Sequence, residues 1–248
     1  MMRASFEWLQ AQWPAPAHVR TASTLRRGGV SATPFDTLNL GDHVGDVPDA
    51  VQRNRQRLHQ ALQLPSEPCW LNQVHGTRVV EADVWTTPPQ ADACIARSAG
   101  QVCVVMTADC LPVLFCSREG DRVAAAHAGW RGLAGGVLQS TVSSLGLPGS
   151  QLMAWLGPAI GPEAFEVGDE VRIAFTAQDA AAAQAFRPSH RVGYWLADLY
   201  LLARQDLQRL GVHAIYGGEG CTYSDEARFF SYRRDQRTGR MASLIWLT

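Results

Sequence analysis

The sequence contains no lysine, so all 22 of its basic residues are arginine. This absence excludes catalysis through a lysine Schiff base and phosphate binding by a Walker-type lysine. The net charge is also small, because the 22 arginines and 23 acidic residues nearly cancel and leave a formal net charge of -1. There is thus no general electrostatic reason to expect binding to nucleic acid or to an anionic membrane, and a local group of residues must recognise any anion.

Long apolar runs are missing as well, and none approaches the length of a membrane-spanning helix. The first residues lack the basic and apolar regions of a signal peptide. Six cysteines are spread irregularly, mostly within apolar runs, which is typical of reduced core residues rather than of a disulfide framework. We expect a soluble cytoplasmic protein that acts on a small molecule, with neither nucleic acid nor a membrane as partner. The sequence does not set the oligomeric state, and we favour a monomer.

The pattern of apolar residues favours an α+β fold. Hydrophobic residues make up 46% of the 248 residues, enough for one domain spanning 1–248 with a sizeable core. Strands and turns are expected over 20–44, 68–127, 214–216 and 242–246, and helices over 48–64, 133–145, 171–185 and 198–210. Strands and helices do not alternate regularly, and no Gly-x-Gly-x-x-Gly follows a strand. We therefore predict a single domain of mixed β-sheets flanked by helices, not a doubly wound fold.

Two histidines and one cysteine each end an apolar, strand-like run. His75 closes residues 69–75 (CWLNQVH), Cys110 closes 102–110 (VCVVMTADC), and His127 lies at the end of 123–127 (VAAAH). If the three strand ends meet, two imidazoles and one thiolate would bind zinc and leave its fourth position open.

Two other interpretations use the same residues. Cys110 could act as a thiolate nucleophile, with His127 or His75 as its general base. Alternatively, a fourth protein ligand could close the site and make it structural, with Cys69, Cys94 and Cys103 as candidates for that ligand.

Two arginine-bearing segments are candidates for anion recognition. Residues 128–136 (AGWRGLAGG) join a strand to a helix, so free N–H groups and Arg131 would suit phosphate or a carboxylate. A tight turn packed against a neighbouring strand explains the same glycines. Residues 229–240 combine three aromatic residues with four arginines and could stack a base and neutralise phosphate, although a solvated turn is the simpler interpretation.

Several blocks in order resemble the YfiH family, whose members are called laccase-domain proteins, purine nucleoside phosphorylases or peptidoglycan editing factor. The similarity runs from about residue 20 to residue 248. It is carried by residues 31–40 (SATPFDTLNL), 72–76 (NQVHG), 107–112 (TADCLP), 127–132 (HAGWRG), 156–161 (LGPAIG), 230–234 (FSYRR) and 238–240 (TGR).

The resemblance implies a zinc site at His75, Cys110 and His127 on a single α+β domain. It also implies phosphorolysis of adenosine, inosine, guanosine and methylthioadenosine, deamination of adenosine, a copper-dependent polyphenol oxidase activity, or release of misincorporated L-serine from a muropeptide precursor. On this basis we predict two sets of site residues: catalytic Cys110, His127 and Asp109, and substrate-binding Arg131, Asp92, Asn72 and Gln73. Asp109 or Asp92 would move protons or orient a metal ligand.

These activities place different demands on the residues. Zinc lowers the pKa of its bound water to about 7, which suits deamination and amide cleavage. Phosphorolysis needs phosphate beside C1′ of the ribose, where Arg131 would help. Oxidation of phenols normally needs several coppers, so one site of three ligands fits it poorly, although copper binds such ligands well. We predict a zinc-dependent enzyme of purine nucleosides. The alternatives are an editing amidase, a copper-dependent polyphenol oxidase and a non-catalytic, metal-stabilised binding module.

Overall fold

Two β-sheets packed face to face form the centre of the fold. The computed structural model describes residues 6–83 and 85–248. A four-stranded antiparallel sheet has the order β1-β2-β13-β5, with β1 Trp8–Leu9, β2 Val19–Thr24, β13 Met241–Leu247 and β5 Val102–Thr107. A six-stranded mixed sheet has the order β12-β8-β6-β7-β4-β3, with β12 Ala214–Gly217, β8 Leu152–Leu156, β6 Leu111–Ser117, β7 Val123–Ala128, β4 Ala93–Ala96 and β3 Val79–Glu81.

In the larger sheet the two edge strands run parallel to their neighbours, and the other pairs are antiparallel. A third, antiparallel sheet has the order β10-β11-β9, with β10 Phe186–Pro188, β11 Tyr194–Ala197 and β9 Glu166–Gly168. The helices are α1 Pro48–Leu62, α2 Trp130–Gly135, α3 Val137–Leu145, α4 Asp169–Thr176, α5 Leu199–Arg209 and α6 Tyr232–Asp235. Within the described ranges, no helix is long and apolar enough to span a membrane.

Alternation along β6 shows how the layers pack. Leu111, Val113 and Phe115 belong to the core between the larger sheet and the helices α3 to α5. Leu114 and Cys116 point the other way, into the core shared with the four-stranded sheet. Because each strand residue alternates between faces, a strand with a core on both sides reads as a continuous apolar run. The predicted α+β fold of mixed sheets flanked by helices is confirmed.

The helix predicted from Pro48 to just before Pro65 is confirmed as α1. Pro48 stands in the first turn and Asp49 adds a carboxylate there, as a helix N-terminus favours. The helix predicted after Asp198 is also confirmed as α5, and the Asp198 carboxylate accepts a hydrogen bond from the Leu201 N–H.

Two other helix predictions were wrong in extent. The helix predicted over 133–145 is two helices, α2 and α3, because Gly136 has a φ of 94° and its N–H bonds back to the carbonyls that end α2. The helix predicted over 171–185 ends at Thr176. A 3₁₀ turn over Ala180–Ala185 follows, and the Asp179 side chain starts it by accepting from the Ala181 N–H.

Candidate metal centre

His75, Cys110 and His127 meet at one end of the larger sheet. Cys110 directly precedes β6, His127 lies near the end of the neighbouring β7, and His75 lies in the loop before β3. Their ligand atoms all lie within 4.8 Å of one another. Cys110 Sγ is 3.9 Å from His75 Nε2, and the two imidazole rings are 4.8 Å apart at 72°. Ligands of one tetrahedral zinc lie about 3.5 Å apart, so this donor set fits a metal after a small contraction.

Asp92 holds both histidine ligands in place. Its Oδ1 accepts from the Nδ1–H of His127 at 2.8 Å and from the His75 N–H at 2.9 Å. Its Oδ2 accepts from the N–H groups of Val74 and Gly76 at 3.2 and 2.7 Å. His75 has a φ of 59°, and these bonds stabilise that turn. Because Nδ1–H of His127 donates to Asp92, Nε2 is the ring nitrogen that would bind a metal once its proton is lost.

The charge on Asp92 is set by the same contacts. Its side chain is completely buried, and burial alone would raise its pKa. His127 and the backbone N–H groups outweigh burial and hold the pKa of Asp92 below its ordinary value. Asp92 is therefore an anion, and it contacts His127 and His75 through atoms other than the nitrogens that would bind a metal. This position favours orientation of the ligands over the predicted contact with substrate.

Cys110 and His127 polarise each other. Burial opposes ionisation of the thiol, but the neighbouring His127 and His75 lower the pKa of Cys110 to about 6. Burial likewise opposes the charge on His127, while Cys110 and Asp92 raise the pKa of His127 to about 9. Without metal, the pair at neutral pH is therefore a thiolate beside an imidazolium. A metal bound through Nε2 would displace the proton of His127.

Asp109 fixes the turn that presents Cys110. Asp109 has a φ of 89°. Its carboxylate accepts from the Thr222 hydroxyl at 2.7 Å and from the Arg233 N–H at 2.6 Å, and its carbonyl accepts from the Ile160 N–H at 2.9 Å. Both carboxylate oxygens are thus engaged, so Asp109 ties the segment at Thr222 and the start of α6 to the site.

Glycines after β7 make room for the ligands. A Cβ on Gly129 would lie 2.9 Å from Cys110 Sγ and 3.0 Å from His75 Cδ2. A Cβ on Gly132 would lie 3.0 Å from the Gly76 carbonyl. Gly129 and Gly132 therefore serve close packing, which is the alternative that the sequence left open. Arg131 at the start of α2 is exposed and stacks on Trp130, with 4.4 Å from guanidinium to ring centroid.

The two remaining predicted substrate contacts differ in their surroundings. Asn72 is exposed, and its backbone pairs with Gln90. The Gln73 amide is taken by the Met106 backbone, donating to its carbonyl at 2.8 Å and accepting from its N–H at 2.7 Å. Gln73 therefore joins the His75 loop to the end of β5.

None of the cysteines considered as a fourth ligand joins the site. Cys69, Cys94 and Cys103 are buried in the core between the two sheets. Over residues 6–83 and 85–248, the three predicted ligands form the one group of at least three His, Cys, Asp or Glu able to hold a metal. A cleft of about 610 Å³, lined in part by Trp155, Gly217 and Arg228, contains none of them.

Comparison with known proteins identifies the family. Residues 20–248 match the family described as "multi-copper polyphenol oxidoreductase laccase". The chain is 60% identical over 240 residues to a purine nucleoside phosphorylase of Pseudomonas aeruginosa, covering 97% of this chain and 98% of the relative. It is 58% identical over 240 residues to the Escherichia coli purine nucleoside phosphorylase YfiH, covering 95% and 97%. The chain belongs to the YfiH family.

Solved structures of YfiH-family proteins show the same fold. A Neisseria meningitidis protein with 55% identity superposes with a TM-score of 0.93 over 97% of this chain and 98% of its own. YlmD from Geobacillus stearothermophilus, 32% identical, superposes with a TM-score of 0.90 over 98% of both chains. The resemblance to the YfiH family that the sequence motifs indicated is therefore confirmed.

Proposed function

We propose that this YfiH-family protein is a metal-dependent purine nucleoside phosphorylase, with zinc as the metal and copper as the alternative. The observation that carries the proposal is the convergence of His75, Cys110 and His127, whose ligand atoms lie within 4.8 Å of one another. Relatives with 60% and 58% identity bear the name purine nucleoside phosphorylase, which supports the same activity here.

A bound zinc would supply a Lewis acid at the centre. The protein's own residues do the rest. Asp92 keeps the Nε2 lone pair of His127 directed at the site, and Cys110 contributes a thiolate at neutral pH. His75 is exposed, so substrate and solvent enter from its side. We assign Asp109 the positioning of the Cys110 turn, because hydrogen bonds engage both its carboxylate oxygens.

In phosphorolysis, a phosphate oxygen forms a bond to C1′ of the ribose while the bond from C1′ to the purine nitrogen breaks. The electron pair leaves with the purine, which takes a proton from solvent, and the products are ribose 1-phosphate and the free base. Adenosine, inosine, guanosine and methylthioadenosine all carry this bond, so one site serves all four; methylthioadenosine keeps its 5′-methylthio group and gives 5-methylthioribose 1-phosphate. We include adenosine deamination, in which water replaces the amino group at C6. Arg131 as a phosphate contact stays a prediction.

The test is phosphate-dependent cleavage of inosine. We expect zinc-loaded protein to release hypoxanthine and ribose 1-phosphate in equal amounts, and to release neither when phosphate is left out. Cys110→Ala should lose both zinc and activity. Cys116→Ala makes the same chemical change in the core near the far end of β6 and should keep both. Retained zinc and activity in Cys110→Ala would refute the site.

Peptidoglycan editing is the second candidate, and the exposure of His75 favours it. An open centre admits a substrate larger than a nucleoside, such as a muropeptide precursor with misincorporated L-serine. Release of serine without any hypoxanthine from inosine would select this amidase. Polyphenol oxidation is disfavoured, because the described residues offer one three-ligand group and multi-copper chemistry needs more than one copper.

A further inference from the structure

Arg240 directly precedes β13, whose first residue Met241 pairs with Thr107 in β5, so Arg240 lies at the strand end from which the Cys110 turn follows, although it is far from the candidate ligands in sequence. Its backbone N–H donates to Oδ1 of Asn39 at 2.9 Å, and Asn39 is fully buried. A Cβ on Gly41 would lie 2.8 Å from Arg240 Cγ, so that glycine packs directly on the arginine side chain. The guanidinium lies 6.0 Å from the Tyr232 ring centroid. Arg240 is therefore held by a loop on one side and α6 on the other.

The guanidinium is partly buried and has no carboxylate partner. One of its NH2 groups donates to the carbonyls of Thr238 and Gly239, both at 3.1 Å. Across the described chain, no carboxylate oxygen lies within 4.0 Å of it, and its Nε and second NH2 group make no hydrogen bond. The half-buried Arg55, by contrast, donates twice to a carbonyl and lies 3.4 Å from an Asp42 oxygen.

Charged and polar groups of the Cys110 turn and of α6 act on the Arg240 guanidinium. Burial lowers the pKa of Arg240, while Cys110, Asp109 and Tyr232 raise it, and the guanidinium stays charged. The Thr238 hydroxyl in the same turn is buried and has no hydrogen-bond partner in the described part of the chain. The turn 238–240 therefore contains a partly desolvated cation and a buried hydroxyl, each with donors left unused. Such groups are costly unless a ligand completes them.

We propose that Arg240 binds the phosphate consumed in phosphorolysis. The inference rests on the proposed function. The Nε–H and the second NH2 group of a planar guanidinium can donate two parallel hydrogen bonds to two oxygens of one phosphate. Its place at the strand end that leads to the Cys110 turn would bring the attacking phosphate oxygen toward the candidate metal centre. Arg240 then acts in substrate binding, and the stack on Tyr232 fixes the plane of the guanidinium.

Direct phosphate binding to the zinc-loaded protein tests this role, with phosphorus-31 NMR as the measurement. We expect Arg240→Gln to weaken phosphate binding about 10- to 100-fold, the usual range for lost charge-assisted hydrogen bonds. Arg240→Lys keeps the charge without the planar fork and should fall between Gln and the wild type. Arg118→Gln is the matched control, because Arg118 is exposed about 20 Å away beyond the other end of β6 and should bind phosphate normally.

Kinetics and competition separate substrate binding from other roles. In inosine phosphorolysis, Arg240→Lys should raise KM for phosphate and leave KM for inosine and the zinc content unchanged. Unaltered phosphate binding in Arg240→Gln and Arg240→Lys, or a loss confined to zinc affinity, would overturn the proposal. So would displacement of phosphate by equimolar acetate, which would assign the arginine to a substrate carboxylate. If the wild type binds phosphate through Arg240 but never cleaves inosine, the proposed function fails and the anion site stands.

Discussion

Oδ1 of Asp92 accepts hydrogen bonds from two candidate metal ligands, from the ring Nδ1–H of His127 at 2.8 Å and from the backbone N–H of His75 at 2.9 Å. One buried carboxylate therefore sets a side-chain orientation and a backbone turn together. Its second oxygen accepts two further N–H groups of the same loop. The geometry of the candidate metal centre therefore depends on Asp92, which is outside the three-residue group able to hold a metal.

Replacing Asp92 by Asn should separate these functions from the fold. An amide accepts on one side only, so either the N–H groups of Val74 and Gly76 or those of His75 and His127 meet another donor. We expect zinc affinity to fall about 10- to 100-fold, as for other residues that orient metal ligands. Competition with a chelator measures the loss. Asp121→Asn, on the exposed turn at the far end of β6, should bind zinc normally, and an equal loss there would contradict the assignment.

Gly129→Ala should damage the centre by crowding. The new methyl group would lie 2.9 Å from Cys110 Sγ and 3.0 Å from a His75 ring carbon, so one ligand must move. We expect weaker zinc binding and loss of phosphorolysis, while circular dichroism shows an intact fold. Gly220→Ala is the control, because its methyl group would meet its nearest neighbour at an ordinary 3.4 Å. Normal zinc affinity in Gly129→Ala would show that the ligands have more room than this packing allows.

Local patterns predicted the convergence of His75, Cys110 and His127 and two of the helices. His75, Cys110 and His127 each follow an apolar run that is visible in the sequence. The strand expected over 69–75 is absent, however, and only isolated bridges at Cys69 and Asn72 stand in its place. The break at Gly136 was missed because a glycine inside an apolar pattern does not reveal its φ.

Contacts between distant segments were harder to predict. Asp92 was predicted to contact substrate, with orientation of a ligand as the alternative. The structure brings four hydrogen-bond donors to its carboxylate, and they come from residues 16 to 35 positions away. No local pattern in the sequence shows this convergence. The tail 229–240 was recognised as arginine-rich. The place of Arg240 depends on a bond to Asn39, 201 positions earlier, for which the sequence carries no local signal.

The thiol of Cys110 should be more acidic than an ordinary cysteine thiol. With a pKa of about 6, Cys110 in metal-free protein is mostly thiolate at pH 7 and becomes protonated as the pH falls through 6. We expect iodoacetamide to modify Cys110 with a rate midpoint near pH 6, and zinc to block the reaction. Cys116, whose pKa burial raises to about 12, is the internal control and should stay unmodified. A midpoint near pH 9 for Cys110 would show that the histidines do not stabilise its thiolate; peptide mass spectrometry measures both sites.

Asn54 should stabilise the fold and, through its hydrogen bond to Asn39, the position of Arg240. This fully buried residue of α1 accepts from the Val30 N–H at 2.8 Å and donates to the Ser31 hydroxyl at 2.9 Å and the Asn39 carbonyl at 2.8 Å. Asn54→Ala leaves these buried groups without partners, at a cost of about 2–4 kcal/mol in the free energy of unfolding. Urea denaturation measures it, and Arg53→Ala on the exposed face of α1 should cost less than about 1 kcal/mol. Because Asn39 holds the Arg240 backbone, we also expect Asn54→Ala to weaken phosphate binding under conditions where it remains folded. Unchanged phosphate affinity in the folded variant would mean that the Asn39 loop keeps its place without α1.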